Sequence, residues 1–502
     1  MLAFVAPSID YHAFAPELIV VAILAILVLV DCFTSDYDKS SQSSVAGFGL
    51  LLALIPVVTL AMDGTVRGMF GSPESGYAYV VDTYSLILKA LFLVSGYVVV
   101  LLSQTYIAEG DYWEGEYYQL LLASILGMMV MASARDLVSI FVALELLSIP
   151  AYMLAAWRKR DLKSDEAGIK YYLMGVFASA VMLYGMSLIY GITGSTLLTE
   201  VAANLRQFPA GQVPPIVVLA VVFVLVGFGF KVSAVPFHTW APDTYEGAPT
   251  PVTAFLAVAS KAAGFVALMT LVFVAFPGNT STIEPLMFAL SAATMTVGNL
   301  IALRQTNIVR LLAYSGVAQA GYMLAPLAVY GVSGTVGLQA IIAYLLIYAA
   351  MNLGAFAVVI TAARKTRSGE ISSFGGLIQY APSLAVLMCL FLFSLAGIPP
   401  LGGWFAKFAV FRALVGAETG WGYALAVLVG INSVIALFYY ARVAKTMVMD
   451  PAPDGDLSPV RVPFSLRAAL VITAMVTVAV GVLPGLVGHF TDSVTIGAAL
   501  GS

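Results

Sequence analysis

Apolar residues run along this chain in blocks separated by short polar stretches. A helix needs about 20 apolar residues to cross the hydrocarbon core of a bilayer. Fourteen blocks meet that need: 17–34, 45–63, 82–104, 117–133, 137–157, 166–191, 214–240, 249–276, 284–303, 307–330, 336–362, 382–414, 421–446 and 466–489. The pattern predicts an all-α polytopic membrane protein with about 14 transmembrane helices.

Two blocks are interrupted, the seventh by "FGFKVSAVPFHTW" and the twelfth by "SLAGIPPLGGWFAKF". Backbone groups in lipid must be satisfied, so a broken helix persists at membrane depth only where it lines protein or water. Transporters place such breaks at the midplane, and internal repeats produce them in pairs. Shifted by 163 residues, Phe228, Phe230 and Pro236 fall on Phe391, Phe393 and Pro399. In that register Lys231 precedes its proline and Lys407 follows its own. Two stacked five-helix units, blocks 4–8 and 9–13, account for this; kinks that serve packing alone are the plainer alternative. The predicted divisions are an N-terminal three-helix segment 1–116, a first five-helix repeat 117–276, a second 284–446, and a C-terminal loop and helix 447–502.

Composition agrees: 61% of the residues are hydrophobic and 10% charged, against about 25% charged in soluble domains. The low pI rests on few charges and says little about partners. The start of the chain has no basic region and carries Asp10, His12 and Glu17, so no cleaved signal peptide is expected. With the N-terminus outside, fourteen Lys and Arg residues fall in inner loops (Lys39 among them) and four in outer ones. The positive-inside rule therefore predicts that both termini face outward. Trp157, Tyr171, Tyr172, Tyr439 and Tyr440 flank the blocks and read as interfacial aromatics. Cys32 and Cys389 make no metal or redox spacing and read as packing residues; Met128, Met129 and Met131 read as core or lipid-facing filler. No phosphate loop or dinucleotide motif is present, and the chain shows no site of its own for a redox cofactor or a metal.

Five lysines fall within or at the edge of blocks. Lys170 is near the inner end and can snorkel; Lys89 is deeper, and snorkelling and burial are both open to it. Lys231, Lys261 and Lys407 lie well inside, together with one acid, Glu145 in "VALELLSIP". A lysine at the bilayer centre costs roughly 2.5–3.5 kcal/mol on the lenient insertion scale, and such residues mark ion pathways by default. The bland reading is a set of structural ion pairs. The functional reading is a proton switch: Glu145 near Lys231 holds the lysine's proton, and Glu145 withdrawn releases it toward Lys261 and Lys407. His238 follows the first break and is either a packed histidine or a further shuttle. Asp243 and Glu246 are expected to cap the eighth helix and to collect inner-side protons.

These residues together resemble the antiporter-like subunits of respiratory complex I, the NADH:quinone oxidoreductase. The most specific stretches are "KVSAVPFHTWAPDTYEGAPTPVTAFLAVASKAAGF" (231–265), "AYSGVAQAGYML" (313–324), "MNLGAFAVV" (351–359) and "LAGIPPLGGWFAKF" (395–408). The resemblance implies fourteen helices in two inverted five-helix repeats, with helices 7 and 12 broken. It places the family's glutamate on Glu145 and its ionisable residues on Lys231, Lys261 and Lys407. Lysine at 407, and a chain that stops soon after block 14, match the N-type (subunit 2) pattern.

The implied role is proton translocation within an oxidoreductase of a bacterial inner (plasma) membrane, driven by quinone reduction elsewhere. NADH, FMN, iron–sulfur clusters and quinone would be used by the complex and none bound by this chain. Partners would be a homologous antiporter-like subunit, small quinone-proximal subunits and lipid, with no nucleic acid. The alternatives are a subunit of a multi-subunit sodium/proton antiporter, a structural scaffold, or a related complex with another electron donor. Few carboxylates inside argue mildly against sodium. The acidic stretch 104–119 has no assigned contact.

Overall fold

The computed structural model describes residues 9–33, 41–110, 114–208, 213–494 and 496. Lys39 and residues 111–113 of the acidic stretch lie outside them. The chain is built of membrane-crossing helices, as the blocks predict. The first half contains α1 (Ala15–Phe33), α2 (Ser41–Asp63), α3 (Thr83–Ala108), α4 (Glu114–Ser133), α5 (Leu137–Ala155), α6 (Leu162–Thr193), α7 (Leu198–Leu205), α8 (Pro215–Lys231), α9 (Trp240–Gly247) and α10 (Thr250–Ala275). The second contains α11 (Thr280–Ala302), α12 (Ile308–Leu324), α13 (Thr335–Thr366), α14 (Pro382–Ala396), α15 (Gly402–Gly416), α16 (Gly420–Met449), α17 (Phe464–Val482) and α18 (Gly485–Thr491). Among the described residues eleven helices are long and apolar enough to span a membrane singly. The shorter α8, α12, α14 and α15 fall in blocks 7, 10 and 12.

One element departs from the all-helical expectation. Between α2 and α3 the chain forms an antiparallel hairpin, β1 (Arg67–Ser72) and β2 (Gly76–Val81), paired Met69 to Tyr79. The stretch is too short and too rich in Gly and Ser to span a membrane, and "SPESG" supplies the turn.

The packing follows from which helices are apolar all round. α10 and α13 are almost wholly buried, while α1 and α6 turn most of their surface outward. α10 lies between α3, α4, α8 and α13, and α13 packs in turn on α14, α15 and α17. Lys261 on α10 and Tyr344 on α13 therefore sit on helices sheathed by other helices.

Both interrupted blocks are real breaks. α8 stops at Lys231, Ser233 takes a left-handed conformation (φ 60°), and α9 starts only at Trp240. α14 stops at Ala396, Gly397 is left-handed (φ 91°), and α15 starts at Gly402. The freed backbone groups find partners in protein, as the absence of water in a bilayer requires. Trp240 Nε1 donates to the Phe230 carbonyl at 3.2 Å, the Val235 amide donates to Thr294 Oγ1 at 2.9 Å, and the Gly403 amide donates to Ser394 Oγ at 3.0 Å. Gly403 admits no larger residue, since a Cβ there would stand 1.8 Å from the Ser394 carbonyl oxygen.

Candidate functional site: a buried lysine axis

Lys231 is the last residue of α8, so the break frees its side chain to turn into the bundle. Its Nζ donates to Ser148 Oγ at 2.9 Å and to the Tyr171 hydroxyl at 3.3 Å. Its stem lies against Gly264 of α10, where a Cβ would meet Lys231 Cγ at 3.0 Å. Ser148 is on α5, three residues after Glu145 and so on the same helix face. Glu145 itself forms no ion pair among the described residues, and its buried Oε1 has no hydrogen-bond partner there. The structure thus has Lys231 resting on neutral hydroxyls with the glutamate one helical turn away.

Tyr171 was expected at an interface with Tyr439 and Tyr440. All three are instead fully buried, and of those five aromatics Tyr172 is the one exposed to half its surface. Tyr171 stacks on Trp240 (4.5 Å between centroids). Ser260 precedes Lys261 in α10, whose helix widens into a π-helical turn over Leu256–Ser260. Such turns redirect side chains and recur at functional sites.

Lys261 Nζ donates to the Gly316 carbonyl of α12 at 2.7 Å. One turn on, Gln319 donates to the Leu395 carbonyl at 3.1 Å and to the Tyr440 hydroxyl at 3.3 Å, and accepts from Tyr344. Leu395 and Ala396 end α14, and Lys407 Nζ of α15 donates to the Ala396 carbonyl at 2.7 Å. Lys407 also lies over the Tyr322 ring, 4.8 Å from its centroid. Asn299 bonds the Tyr322 hydroxyl at 3.0 Å and accepts from Tyr439. The Ala396 carbonyl is open to Lys407 because the residue four positions on, where a continued helix would place its donor, is Pro400, which has no N–H.

The polar partners Ser148, Tyr171, Gln319, Tyr344 and Tyr440 were not singled out from the sequence as members of this site. Polar residues at positions facing a lysine-bearing block were the available signal. His238 lies near this axis but off it: it is buried in the broken segment, its Nδ1 has no partner among the described residues, and its ring edge is toward Tyr314. Met128, Met129 and Met131 are core, whereas Cys32 is exposed at the end of α1.

On α9, Asp243 and Glu246 do not cap α10, whose first turn begins after Pro249. Asp243 accepts from Lys170 at 2.7 Å and from Arg310 at 2.9 Å; Glu246 pairs with Arg310 at 2.9 Å and with Lys163 at 3.3 Å. Together with Glu166 these groups line a cavity of about 140 Å³. Burial alone would push the Asp243 carboxyl up, but the bonds from Lys170 and Arg310 outweigh it and hold the group below its ordinary value of 3.8. A lowered folded value means that the stability contributed by the clasp is present above the unfolded value and lost as pH falls through the folded one. The carboxylate infrared band of Asp243 is thus expected to stay constant across neutral and mildly acid pH. A protonated Asp243 at pH near 6 would show that it stores protons after all.

The family model for NADH:quinone oxidoreductase/Mrp antiporter transmembrane proteins matches residues 134–435. The chain is 42% identical over 432 residues to the NADH-quinone oxidoreductase subunit N of Moorella thermoacetica, covering 85% of this chain and 89% of that one. It is 39% identical over 489 residues to the subunit N of Trichlorobacter lovleyi, covering 97% of both. Among solved structures it superposes on a chain of respiratory complex I from Thermus thermophilus with TM-score 0.77 and 32% identity, over 97% of this chain and 100% of that one. A chain of the Mrp complex from Dietzia superposes with TM-score 0.83 over 96% of both, at 21% identity, and so shares the fold.

Proposed function

Since the chain belongs to the NADH:quinone oxidoreductase/Mrp antiporter transmembrane family, we propose that it is a proton-translocating membrane-arm subunit of an NADH:quinone oxidoreductase. In this reading Glu145 sets the proton affinity of Lys231, and the proton passes by Tyr171 and Ser260 to Lys261, then along the Gln319 face of α12 to Lys407. His238 is a side station. Hydroxyls both donate and accept, so a chain of them can carry protons that lysines alone would trap. The drive comes from quinone reduction elsewhere in the complex. Moving one charge against 100 mV costs about 2.3 kcal/mol, and the residues of the axis offer no source for it. NADH, FMN, iron–sulfur clusters and quinone are assigned to the rest of the complex. The bacterial inner membrane, with both termini outward, is the proposed location, and 117–276 and 284–446 are the proposed repeat units between the flanking 1–116 and 447–502.

The observation that carries this reading is that all three lysines are buried on polar partners, Lys231 on Tyr171, Lys261 on the Gly316 carbonyl and Lys407 on the Ala396 carbonyl, with Gln319 bonded to Leu395 between the last two. The test is to tag the chain, extract it gently, and assay the co-purified assembly for NADH:quinone activity. A large NADH-oxidising assembly supports the reading. A small membrane-only assembly that exchanges sodium for protons replaces it with the antiporter alternative.

Gly316→Ala offers a finer check. The added methyl would lie 3.1 Å from Lys261 Nζ and 3.0 Å from the Tyr348 hydroxyl. Either group must shift, and the lysine is the one whose bond to the Gly316 carbonyl is disturbed. NADH-driven proton uptake by membrane vesicles is expected to drop severalfold at normal assembly; an unchanged rate would mean that Lys261 does not depend on that seat.

A further inference from the structure

A second buried acid–base group lies outside the lysine axis. Lys89, two turns into α3, does not snorkel: it is 0% exposed, its Nζ is 2.9 Å from Glu17 Oε1 of α1, and it donates to the Tyr79 hydroxyl of β2 at 2.9 Å. Glu17 is 1% exposed, and its Oε2 has no hydrogen-bond partner among the described residues. Beside the pair, Arg135 and Asp82 form another buried bridge at 3.1 Å. Arg135 also donates to the carbonyl of Ala134, the residue that pairs with Tyr79 through the backbone. Tyr84, next along α3, donates its hydroxyl to the Val266 carbonyl of α10, the helix that carries Lys261.

An opening lies beside this cluster at Asp82, while Glu17, Tyr79 and Lys89 are not among the residues that line it. Asp82 lines a cavity of about 420 Å³ together with Leu86, Ala90, Thr65 and His489. Leu86 and Ala90 flank Lys89 on α3, and Thr65 belongs to the loop that the proposed orientation puts outside. A buried ion pair is a weak stabiliser, because desolvation offsets most of its attraction. One carboxylate oxygen without a partner makes this pair weaker still as a staple, and leaves a place for a proton.

We propose that Glu17, Lys89 and Tyr79 form a proton-exchanging station on the outward side of the subunit, open to the outer aqueous phase through the cavity at Asp82. The proposal rests on the proton-translocation reading above. The ammonium of Lys89 gives a proton to the Glu17 carboxylate, leaving an amine and a carboxylic acid with no change in net charge. The acid then loses that proton to outer water, and the amine takes up the next one arriving from within.

The test uses the whole complex in inverted membrane vesicles, where the outer face is the lumen. Lys89→Arg keeps the charge, but its guanidinium does not deprotonate. A structural pair is therefore rescued by arginine and a proton station is not. Lumen acidification per NADH oxidised is expected to fall severalfold in assembled Lys89→Arg; wild-type acidification overturns the proposal. If Lys89→Arg does not assemble, the Glu17→Gln/Lys89→Met pair decides. Assembly with impaired acidification supports the station, whereas wild-type acidification, or failure of both variants to assemble, makes the pair structural. Lys231→Ala on the same vesicles separates the two levels. If it is impaired while Lys89→Arg is not, the outward station alone falls; if neither is impaired, the translocation reading falls with it.

Discussion

Lys231→Ala is expected to leave the complex assembled and to lower NADH-driven proton translocation at least about tenfold, given that a positioned proton-transfer group contributes about 10²–10⁴. The reason lies in its seat. Lys231 closes α8, and its Nζ alone joins Ser148 on α5 to Tyr171 on α6. Alanine removes the carrier and leaves two hydroxyls facing a gap, which is a modest structural loss because both are neutral. Glu145→Gln is expected to be milder, because the glutamate acts on the Lys231 charge without bonding to it. Steady-state NADH:quinone rates and vesicle acidification, set against the amount of assembled complex, check both. Loss of activity in Glu145→Gln with little effect in Lys231→Ala would reverse the two roles.

The second large effect is expected at a residue that carries no charge. Gln319 spans the space between the Lys261 seat and the Lys407 seat through Leu395, Tyr440 and Tyr344. Gln319→Leu keeps the volume and removes all of these bonds. The Leu395 carbonyl and the Tyr344 hydroxyl then lose this partner while Tyr440 keeps Ser315, at about 1–3 kcal/mol for each group that stays unsatisfied. The assembled variant is expected to lose most proton translocation with all three lysines intact. Full translocation in Gln319→Leu would mean that the lysines exchange protons by another route, and the axis drawn through α12 would be wrong.

Much of this was legible in the residues. The apolar blocks mark where the membrane-crossing helices lie, and the prolines and glycines at 236 and 397–403 mark where the backbone breaks. Lys231, Lys261 and Lys407 stand out because a charge in an apolar run has few explanations. The partners stayed hidden for the opposite reason. Tyrosine is amphipathic, so Tyr171 and Tyr440 near block ends fit an interface as well as a core; the packing of α6 on α5 and α9 decides for Tyr171, and that of α16 on α12 for Tyr440. Lys89 was ambiguous because its partner, Glu17, is 72 positions away at the start of another helix. The hairpin at 67–81 was missed because a reading tuned to blocks of membrane length passes over six-residue strands.

The clasp on Asp243 bears on how a helix movement could reach Lys231. Lys170 of α6 and Arg310 of α12 both grip Asp243, and Asp243 sits on α9, the short helix just beyond the first break. α9 is thus tethered to both halves of the chain by ion pairs, while an eight-residue unwound segment before Trp240 is its link to Lys231. A shift of α6 against α12 beside Asp243 would be taken up there, where the helix is interrupted. The clasp and the break together form a lever whose short arm ends at the lysine.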